Sequence, residues 1–502
     1  MAIRIRTGLT AGAFLPRLER FWALSADKIR ALERTWNPRH GAPVYTVDGR
    51  YRTRGWTDWT QGFQYGSALL QFDATDEPEF LELGRELTLQ RMACHVSATG
   101  VHDNGFNNIS TYGNLWRLLR EGRMPFQERE RDCYEVALKV SGAIQAARWT
   151  SVAGGGYIYS FNGAHSLFID TMRSLRSLAV AHQLGHALLG EQDQRISLLQ
   201  RLLEHALTTA RYNVYYGENR DAYDVGGRVA QEAVFNVASG HYRCPSTQQG
   251  YSPFSTWTRG LAWALCGFAE QLEFLAALPQ AELARALALA LARQTTGDLR
   301  RRPRRKLVVA APETQAPLET PAQVLRLFRR AAMATADYYL ATACADGIPM
   351  WDTGAPNLHR LGDYRSRPAD PFNAWEPVDS SAASVAAQGL LRLGNYLCGQ
   401  SEQRSGARYR QAGLTIAQTL FAEPYLSTDP RHQGLILHAV YHRPNGWDHI
   451  ASSQRIPNGE SCLWGDYHAR ELALMIWREA RGATPLRFFA PDVRISPASR
   501  SG

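Results

Sequence analysis

Asp170 stands in a sequence setting unlike that of a carboxylate on a solvated helix face. It lies inside an apolar run at 167–178, and the spacing of that run predicts a helix over 165–190. Burial among apolar side chains raises the pKa of a carboxyl group towards neutrality, where a general acid can work. A buried salt bridge to His165 or Arg173 would explain the same pattern without chemistry.

A second acid, Asp103, lies between His102 and the sequence Asn104-Gly105-Phe106. A glycine beside an acid and an aromatic residue predicts a tight turn that opens a helix. Such a turn would present Asp103 as a further candidate acid. An aspartate just before a helix is also a common N-cap, and capping alone would explain this residue equally well.

A third group of candidate residues lies on a predicted loop that leads into a helix. Gln249 and Tyr251 offer an amide and a hydroxyl, and Trp257 and Trp263 can stack on sugar rings. Arg259 can pair with a carboxylate, and it shares a helix face with Trp263 because the two are four residues apart. A structural pairing of Arg259 with a nearby acid is equally expected.

The elements that must position these residues are mainly helices. Apolar spacing predicts a helix from Phe14 to Trp36 and a series of similar helices along the chain. Twelve or so antiparallel helices fit either a toroid of six hairpins, the (α/α)6 barrel, or two stacked bundles. The toroid places a deep cleft where the loops meet, and the loops carry the unusual residues. The further helices are predicted at 60–74, 78–96, 107–121, 127–149, 165–190, 192–214, 255–276, 280–296, 321–343, 380–399, 402–421 and 464–481, and short extended segments at 43–46, 156–160, 233–237 and 438–441.

Two stretches interrupt this helical pattern within what we expect to be a single catalytic domain, 1–502. Residues 294–321 are rich in threonine, arginine and proline, and residues 357–376 contain proline turns without periodicity. Both are predicted to be inserted surface loops. The arginine run at 300–306 could bind nucleic acid, but a solvated loop is the favoured interpretation.

Composition excludes several classes of protein. Hydrophobic residues make up 45% and charged residues 21% of the chain, as in ordinary globular proteins, so a mostly disordered chain is excluded. No apolar run is long enough to span a membrane, and no membrane partner is expected. The start resembles no secretory signal, which favours a cytoplasmic location, or a periplasmic one if a leader has been removed.

The net charge indicates which kind of partner to expect, and the cysteine content bears on disulfides and zinc sites. The net charge of +9 fits an anionic partner such as an acidic sugar. Seven scattered cysteines without a CxxC pair argue against a disulfide framework and against a structural zinc site. We therefore expect reduced thiols and no structural zinc site.

The motifs taken together resemble the unsaturated glucuronyl hydrolases of glycoside hydrolase family 88, over about 55–480. Related unsaturated rhamnogalacturonyl hydrolases share the last two motifs in looser form, and the Gly-Tyr-Ser…Trp-x-Arg-Gly run favours the glucuronyl group. The motifs, in order, are Trp59-Thr-Gln-Gly-Phe, His102-Asp-Asn-Gly-Phe, Ile169-Asp-Thr-Met, Gln249-Gly-Tyr-Ser with Trp257-Thr-Arg-Gly-Leu-Ala-Trp, Asp346-Gly-Ile-Pro-Met-Trp-Asp, Asp379-Ser-Ser-Ala-Ala and Trp464-Gly-Asp-Tyr.

The resemblance implies an (α/α)6 toroid that releases a 4,5-unsaturated uronic acid from the non-reducing end of lyase-generated oligosaccharides. The residue matching Asp170 is then the principal general acid and base, and that matching Asp103 assists and binds substrate. The resemblance implies that no metal and no cofactor is required. The residues implied to bind an anionic oligosaccharide are Gln249, Trp257, Arg259, Trp263, Trp59, Tyr251, Gln231 and His102.

The chain departs from the family pattern at five positions of the implied pocket. Gln248 replaces a histidine, Pro253 and Phe254 replace two acids, and Leu261 replaces a glutamine. A substrate-contacting histidine of the family falls near Gln231. These departures leave both acids in place and change residues of the pocket wall. They are therefore expected to affect the choice of substrate more than the reaction.

Two other function classes stay open from the residues alone. A polysaccharide lyase or epimerase on the same toroid could use Tyr251, His102 and Arg259 as base and charge neutraliser. A non-catalytic carbohydrate-binding protein would also need a sugar cleft, but the presence of both Asp103 and Asp170 speaks against it.

Overall fold

The computed structural model describes residues 3–54, 58–152, 155–299, 318 and 320–490. The predicted insertion at 294–321 lies mostly outside these residues. Residues 357–376 hold two short 3-10 turns, Leu358–Leu361 and Tyr364–Ser366.

Most of the described chain is helical, as the apolar spacing predicts. The helices are α1 Leu15–Thr35, α2 Gln61–Thr75, α3 Pro78–Arg91, α4 Ala93–Val96, α5 Asn104–Asn108, α6 Asn114–Arg120, α7 Glu128–Ala147, α8 Thr171–Ser174, α9 Arg176–Gln183, α10 Leu198–Tyr212, α11 Thr258–Ala277, α12 Gln280–Leu299, α13 Pro321–Thr342, α14 Ser380–Gly399, α15 Gln403–Leu420 and α16 Leu463–Ala480. A single π-helical turn, Ile109–Gly113, joins α5 to α6.

Short strands decorate the helices. They are β1 Tyr45–Val47, β2 Arg50–Arg52, β3 Trp149–Val152, β4 Gly155–Ile158, β5 Ser166–Phe168, β6 Ala187–Leu189, β7 Arg195–Ser197, β8 Glu232–Phe235 and β9 Tyr242–Ser246. Three pairs form hairpins, and β5, β8 and β9 form an antiparallel sheet in that order. Leu167 of β5 lies opposite Ala233 of β8.

The helices close into a ring, which is the (α/α)6 toroid and not a pair of stacked bundles. Helices α2, α11, α14 and α16 are buried along nearly their whole length, as inner helices must be, whereas α1, α3, α7 and α15 keep one polar face in solvent. Helix α2 packs on α3, α11 on α14, α14 on α15, and α16 returns to α2. Across the described ranges, none of the helices combines the length and apolarity needed to cross a membrane.

The continuous helix predicted over 165–190 is wrong. Ser166–Phe168 forms strand β5, Asp170 follows in a turn, and two short helices and strand β6 complete the segment. All three residues of β5 are buried, and they pair with β8, which lies about 65 positions later in the chain. A short apolar run fits a buried strand as well as a helix, and here long-range pairing decides. The extended segment expected at 438–441 forms no strand, and α10 begins only at Leu198, where Ser197 caps it.

Charged side chains form a buried network among the inner helices. Arg173 on α8 lies 2.6 Å from Glu270 on α11 and 2.8 Å from Glu471 on α16, and Arg392 on α14 lies 3.6 Å from Glu270. Arg176 adds a contact of 3.4 Å to Glu471. Each buried charge has an opposite charge beside it, which such burial requires. The network ties the short helix α8 to three long inner helices.

Candidate active site

A cavity of about 420 Å³ opens where helices α2, α5, α8 and α11 begin, beside the loop 441–447. The N-terminal ends of these helices face it, and such ends favour negative charge. The lining residues are mainly aromatic, with a few acids, amides and imidazoles. They are Trp59, His102, Asp103, Phe106, Phe161, Phe168, Asp170, Gln248, Gln249, Trp257, Arg259, Trp263, Tyr441, His442, Asn445 and Trp447.

Asp103 occupies the N-cap position of α5, but its carboxylate makes no capping hydrogen bond. Its side chain lines the cavity instead, and the residue is only 8% exposed. Burial raises the pKa of Asp103 to about 7, although the nearby Arg148 guanidinium opposes the rise. Capping therefore does not account for this acid, and burial favours its protonated form near neutral pH.

Asp170 also faces the cavity, from the turn between β5 and α8 and not from within a helix. The residue is 8% exposed, and its Oδ1 has no hydrogen-bond partner among the described residues. Burial, and then the charge of Asp103, raise the pKa of Asp170 to about 8, against the opposing charge of Arg259. The salt bridge to Arg173 that the sequence left open does not form, because Arg173 pairs with Glu270 and Glu471.

Two glycines bring the acid-bearing turns together by backbone contact. Gly105, two residues after Asp103, meets the backbone of Ser174 on α8 so closely that a Cβ would collide with it. On the other side of α8, a Cβ at Gly267 of α11 would lie 2.8 Å from the backbone of Met172. The turn that carries Asp170 is thus held between α5 and α11 at a distance that a larger residue would not allow.

His102 lies beside Asp103 and is uncharged. Its Nε2 is 3.6 Å from Asp103 Oδ1, and its ring stacks near Phe161 and meets Phe168 edge-on. Burial, together with the charge of Arg148, lowers the pKa of His102 to about 3. The ring therefore shapes the wall and can offer one N–H and one lone pair, without contributing a charge at neutral pH.

The three predicted tryptophans form part of the cavity wall. Trp263 packs on Phe106 with ring centroids 5.0 Å apart, and Trp59 packs on Trp464 at the same distance. Trp257 lies under the Arg259 guanidinium, 4.6 Å from its ring centroid. Flat apolar rings beside polar groups are the surface on which sugar rings stack.

Arg259 lines the cavity, and its guanidinium is also bound on several sides by protein groups. One terminal nitrogen donates to Asp379 Oδ2 at 3.0 Å and to the Val440 carbonyl. The other donates to Gln249 Oε1 at 2.7 Å and to the Tyr441 carbonyl at 2.8 Å. The structural pairing that the sequence offered as an alternative is therefore present.

Two of the predicted substrate-binding residues lie outside the cavity lining. Gln231 is 3% exposed, and its Oε1 accepts hydrogen bonds from Thr247 and from the backbone N–H groups of Gln248 and Gln249. Tyr251 is 52% exposed, and its backbone N–H donates to Asp352. Gln231 supports the wall from behind, and Tyr251 lies on the surface.

Sequence reasoning missed seven lining residues. Phe168 falls within the helix predicted over 165–190. Of the loop 441–447, only Tyr441 falls within a predicted element, the extended segment at 438–441. That loop places aromatic rings, an imidazole and an amide within seven residues, which is the signal that could have identified it. His442 in this loop is uncharged, because burial and the nearby Arg259 lower its pKa to about 4. The missed residues are Phe106, Phe161, Phe168, Tyr441, His442, Asn445 and Trp447.

A possible metal-ligand cluster lies elsewhere. Asp48, His449 and Glu460 bring three ligand atoms within 4.8 Å of one another. None of the three lines the cavity. Asp48 and His449 already form a pair at 3.1 Å, and Glu460 accepts from a backbone N–H.

The chain is similar in sequence and in fold to several unsaturated glucuronyl hydrolases. No family model matches the chain. An unsaturated glucuronyl hydrolase of Bacillus sp. strain GL1 is 23% identical over 432 residues, covering 85% of this chain and 88% of that protein. One from Formosa agariphila is 22% identical, covering 82% of this chain and 78% of that protein. A crystal structure of an unsaturated glucuronyl hydrolase specific for heparin covers 94% of this chain and 99% of its own, with a TM-score of 0.64 and 19% identity.

Proposed function

We propose that this chain, a distant homologue of the unsaturated glucuronyl hydrolases, releases a 4,5-unsaturated uronic acid from the non-reducing end of lyase-generated oligosaccharides. One observation carries the proposal. Asp103 and Asp170, two buried carboxyl groups, face the same aromatic-lined cavity, and each has a pKa raised towards or above neutrality. A protonated carboxyl at neutral pH is what hydration of an enol ether requires.

The reaction then runs through proton transfer by Asp170. The protonated carboxyl gives its proton to C4 of the double bond, and positive charge develops at C5 and the ring oxygen. Water adds at C5, and the Asp170 carboxylate takes the proton that this water loses. The C5 hemiketal opens to a ketone, and the hemiacetal left at C1 releases the remaining sugar. One water is consumed, and Asp170 ends as it began.

Asp103 takes a supporting role in this scheme. Its charge, when present, raises the pKa of Asp170 and so keeps the proton on the residue that must deliver it. Its position beside His102 places it where it can also bind a sugar hydroxyl. Trp59, Trp257 and Trp263 supply the stacking surface for the rings.

The substrate is proposed to be an anionic oligosaccharide. Structures similar in fold hold dGlcA-Glc-Rha-Glc and, in the Streptococcus agalactiae enzyme, dGlcA-GalNAc6S, and a third is of an enzyme specific for heparin. These ligands share an unsaturated uronic acid and differ in the sugar behind it. The altered wall of this chain, with Gln248 in the lining, bears on that second sugar.

The test follows the ultraviolet absorbance of the conjugated double bond with unsaturated oligosaccharides of these three kinds. The wild-type protein is expected to remove the absorbance of at least one of them. Asp170→Asn should lower kcat at least about a hundredfold, since one positioned proton donor contributes about 10²–10⁴-fold. Asp103→Asn should also cost activity, with a larger share appearing in KM.

An exposed aspartate provides the matched control, and Asp363→Asn should leave kcat unchanged. A rise in absorbance with an intact uronate polysaccharide would mean that the protein is a lyase. No loss of absorbance with any unsaturated oligosaccharide, or near-normal turnover by Asp170→Asn, would overturn the proposal.

A further inference from the structure

A second, small cavity lies among the helices of the ring, and it shares no lining residue with the cavity that holds the two acids. Its volume is about 20 Å³. Because one water needs about 10–15 Å³ of such space, the small cavity suits one water or one monatomic ion and excludes larger anions and sugars. The lining residues belong to α6, α9, α14, α16, the π-helical turn and the segment that follows α16. They are Ile109, Gly113, Asn114, Arg117, Arg176, Arg392, Tyr467, Glu471, Leu486, Arg487 and Phe488.

The lining of the small cavity is strongly basic. Four arginines line it together with a single acid, Glu471. Three of the four arginines are buried, and Arg487 is half-buried. Buried charges of one sign repel each other and need charges of the opposite sign beside them. The composition of the lining therefore favours a negatively charged ligand over a neutral one.

The carboxylates around the small cavity are shared among several arginines. Glu471 lies 2.8 Å from Arg173, outside the lining, and 3.4 Å from Arg176. Asp73, which lies 2.7 Å from Arg117, also pairs with two further arginines. The acids of the protein are thus divided between more than one cation each, and they leave positive charge at the lining uncompensated.

Two of the lining arginines also have unused N–H donors. Arg392 is 3% exposed, and one terminal nitrogen donates to Glu273 at 2.8 Å and to the Leu486 carbonyl at 3.3 Å. Its Nε has no hydrogen-bond partner among the described residues. The same holds for Nε of Arg487, whose guanidinium lies 5.7 Å from the ring centroid of Phe489 and has no ion-pair partner in the described part of the chain. Donors that are buried without a partner cost free energy, and an acceptor in the small cavity would remove that cost.

We propose that the small cavity binds one monatomic anion, chloride, through the guanidinium groups of Arg176, Arg392 and Arg487. A monatomic anion accepts hydrogen bonds from any direction, so it can meet guanidinium groups that converge from three parts of the chain. The ion links Arg487, on the segment after α16, to Arg176 on α9 and Arg392 on α14. Chloride is thus a structural ligand that fastens the segment 486–490 to the ring, and this role is separate from the chemistry of the larger cavity.

Thermal unfolding at constant ionic strength tests the site. Chloride replaces methanesulfonate, a polyatomic anion too large for the small cavity, while the total salt concentration stays fixed. The melting temperature should rise with chloride, because a ligand of the folded state stabilises it. At ten times its Kd, chloride should shift the folding equilibrium about elevenfold, or about 1.4 kcal/mol. Equal melting temperatures in the two salts would overturn the proposal.

Two arginine variants show whether chloride acts at this place. Arg487→Met removes the guanidinium that the segment 486–490 contributes, and it should abolish the dependence of the melting temperature on chloride. Arg481→Met is the matched control, since Arg481 also lies over an aromatic ring, that of Trp477 at 3.9 Å, but does not line the small cavity. This control should keep the wild-type dependence. An undiminished chloride effect in Arg487→Met would mean that chloride acts elsewhere, and the proposal would fail.

Crystals of the wild-type protein grown in sodium bromide locate the ion directly. An anomalous peak for bromide should lie between Arg176, Arg392 and Arg487. Density in the small cavity without an anomalous signal would show that a water fills it, and that result, or a cavity without density, would overturn the proposal. This measurement needs no variant, so it decides the question even if Arg487→Met does not fold. Neither experiment depends on turnover, so the proposed hydrolysis is tested separately.

Discussion

Replacing Asp170 by asparagine should make the protein more stable at neutral pH while it destroys turnover. In the folded protein the pKa of Asp170 is raised from 3.8 to about 8, chiefly by burial. Between these two values the unfolded chain has lost the proton and the folded chain still holds it. Folding must therefore take up a proton, and stability falls as the pH rises through this window.

The magnitude follows from the width of the window. The interval from the unfolded pKa of 3.8 to pH 7 spans about three pH units, and each unit lowers the free energy of unfolding by about 1.4 kcal/mol. The wild type is therefore less stable by about 4 kcal/mol at pH 7 than it would be without this proton uptake. Asparagine has the shape of the protonated carboxyl and no proton to gain. The free energy of unfolding of Asp170→Asn should thus exceed that of wild type by about 4 kcal/mol at pH 7, with the difference vanishing near pH 4 and levelling off above pH 8.

Urea unfolding at a series of pH values measures this difference directly. Asp363→Asn, on an exposed side chain, serves as the control and should follow the wild-type curve at every pH. A constant difference between Asp170→Asn and wild type would refute the reasoning, and so would a loss of stability at pH 7. Either result would mean that the pKa of Asp170 is not raised in the folded protein, and Asp170 could then not act as the acid at neutral pH.

Three further outcomes are expected. The kcat/KM for an unsaturated disaccharide should fall as the pH rises through about 8, since the acid form of Asp170 is the active one, and a rise instead would contradict the scheme. Gly105→Ala should lower both the melting temperature and kcat, because the added Cβ would collide with the backbone of Ser174. Gly100→Ala has open space around it and should change neither quantity, and equal effects of the two substitutions would exclude the contact. Arg173→Met should cost about 3 kcal/mol in denaturant unfolding, the low end for a broken buried ion pair, because Glu270 and Glu471 lose their shortest contacts and keep those to Arg392 and Arg176. A cost below about 1 kcal/mol would show that the network is not stabilising.

The sequence predicts the architecture well because helical periodicity is a local signal. Helices such as α1, α11 and α14 fall where apolar spacing places them. The number of helices fits two stacked bundles as well, and the motif resemblance is what implies the toroid. The segment around Asp170 fails because strand β5 depends on pairing with β8, a distant partner that no local window contains. The predicted burial of Asp170 and its raised pKa nevertheless agree with the structure, since both follow from its apolar neighbours.

The residues that line the cavity could also be predicted only in part from the sequence. Asp103, Asp170 and Gln249 could be named from motifs, and all three line it. The sequence could not show that Gln231 lies behind the cavity wall and not in its lining. Only the folded chain reveals that its side-chain oxygen accepts hydrogen bonds from the backbone of the wall. The contribution of loop 441–447 depends on the ring closing α16 onto α2, which brings the end of the chain to its beginning.

Because of the glycine contacts on either side of α8, the spacing of the two acids and the composition of the cavity wall depend on different parts of the chain. The spacing of the acids depends on main-chain contacts at Gly105 and Gly267, whereas the walls consist of loop side chains such as Gln248 and Asn445. Under the proposed function, substitution in these loops can therefore diversify the recognised sugar without disturbing the proton-transfer geometry. An engineer seeking new specificity should randomise the loops and leave both glycines unchanged, and natural divergence under selection for new polysaccharides would follow the same route.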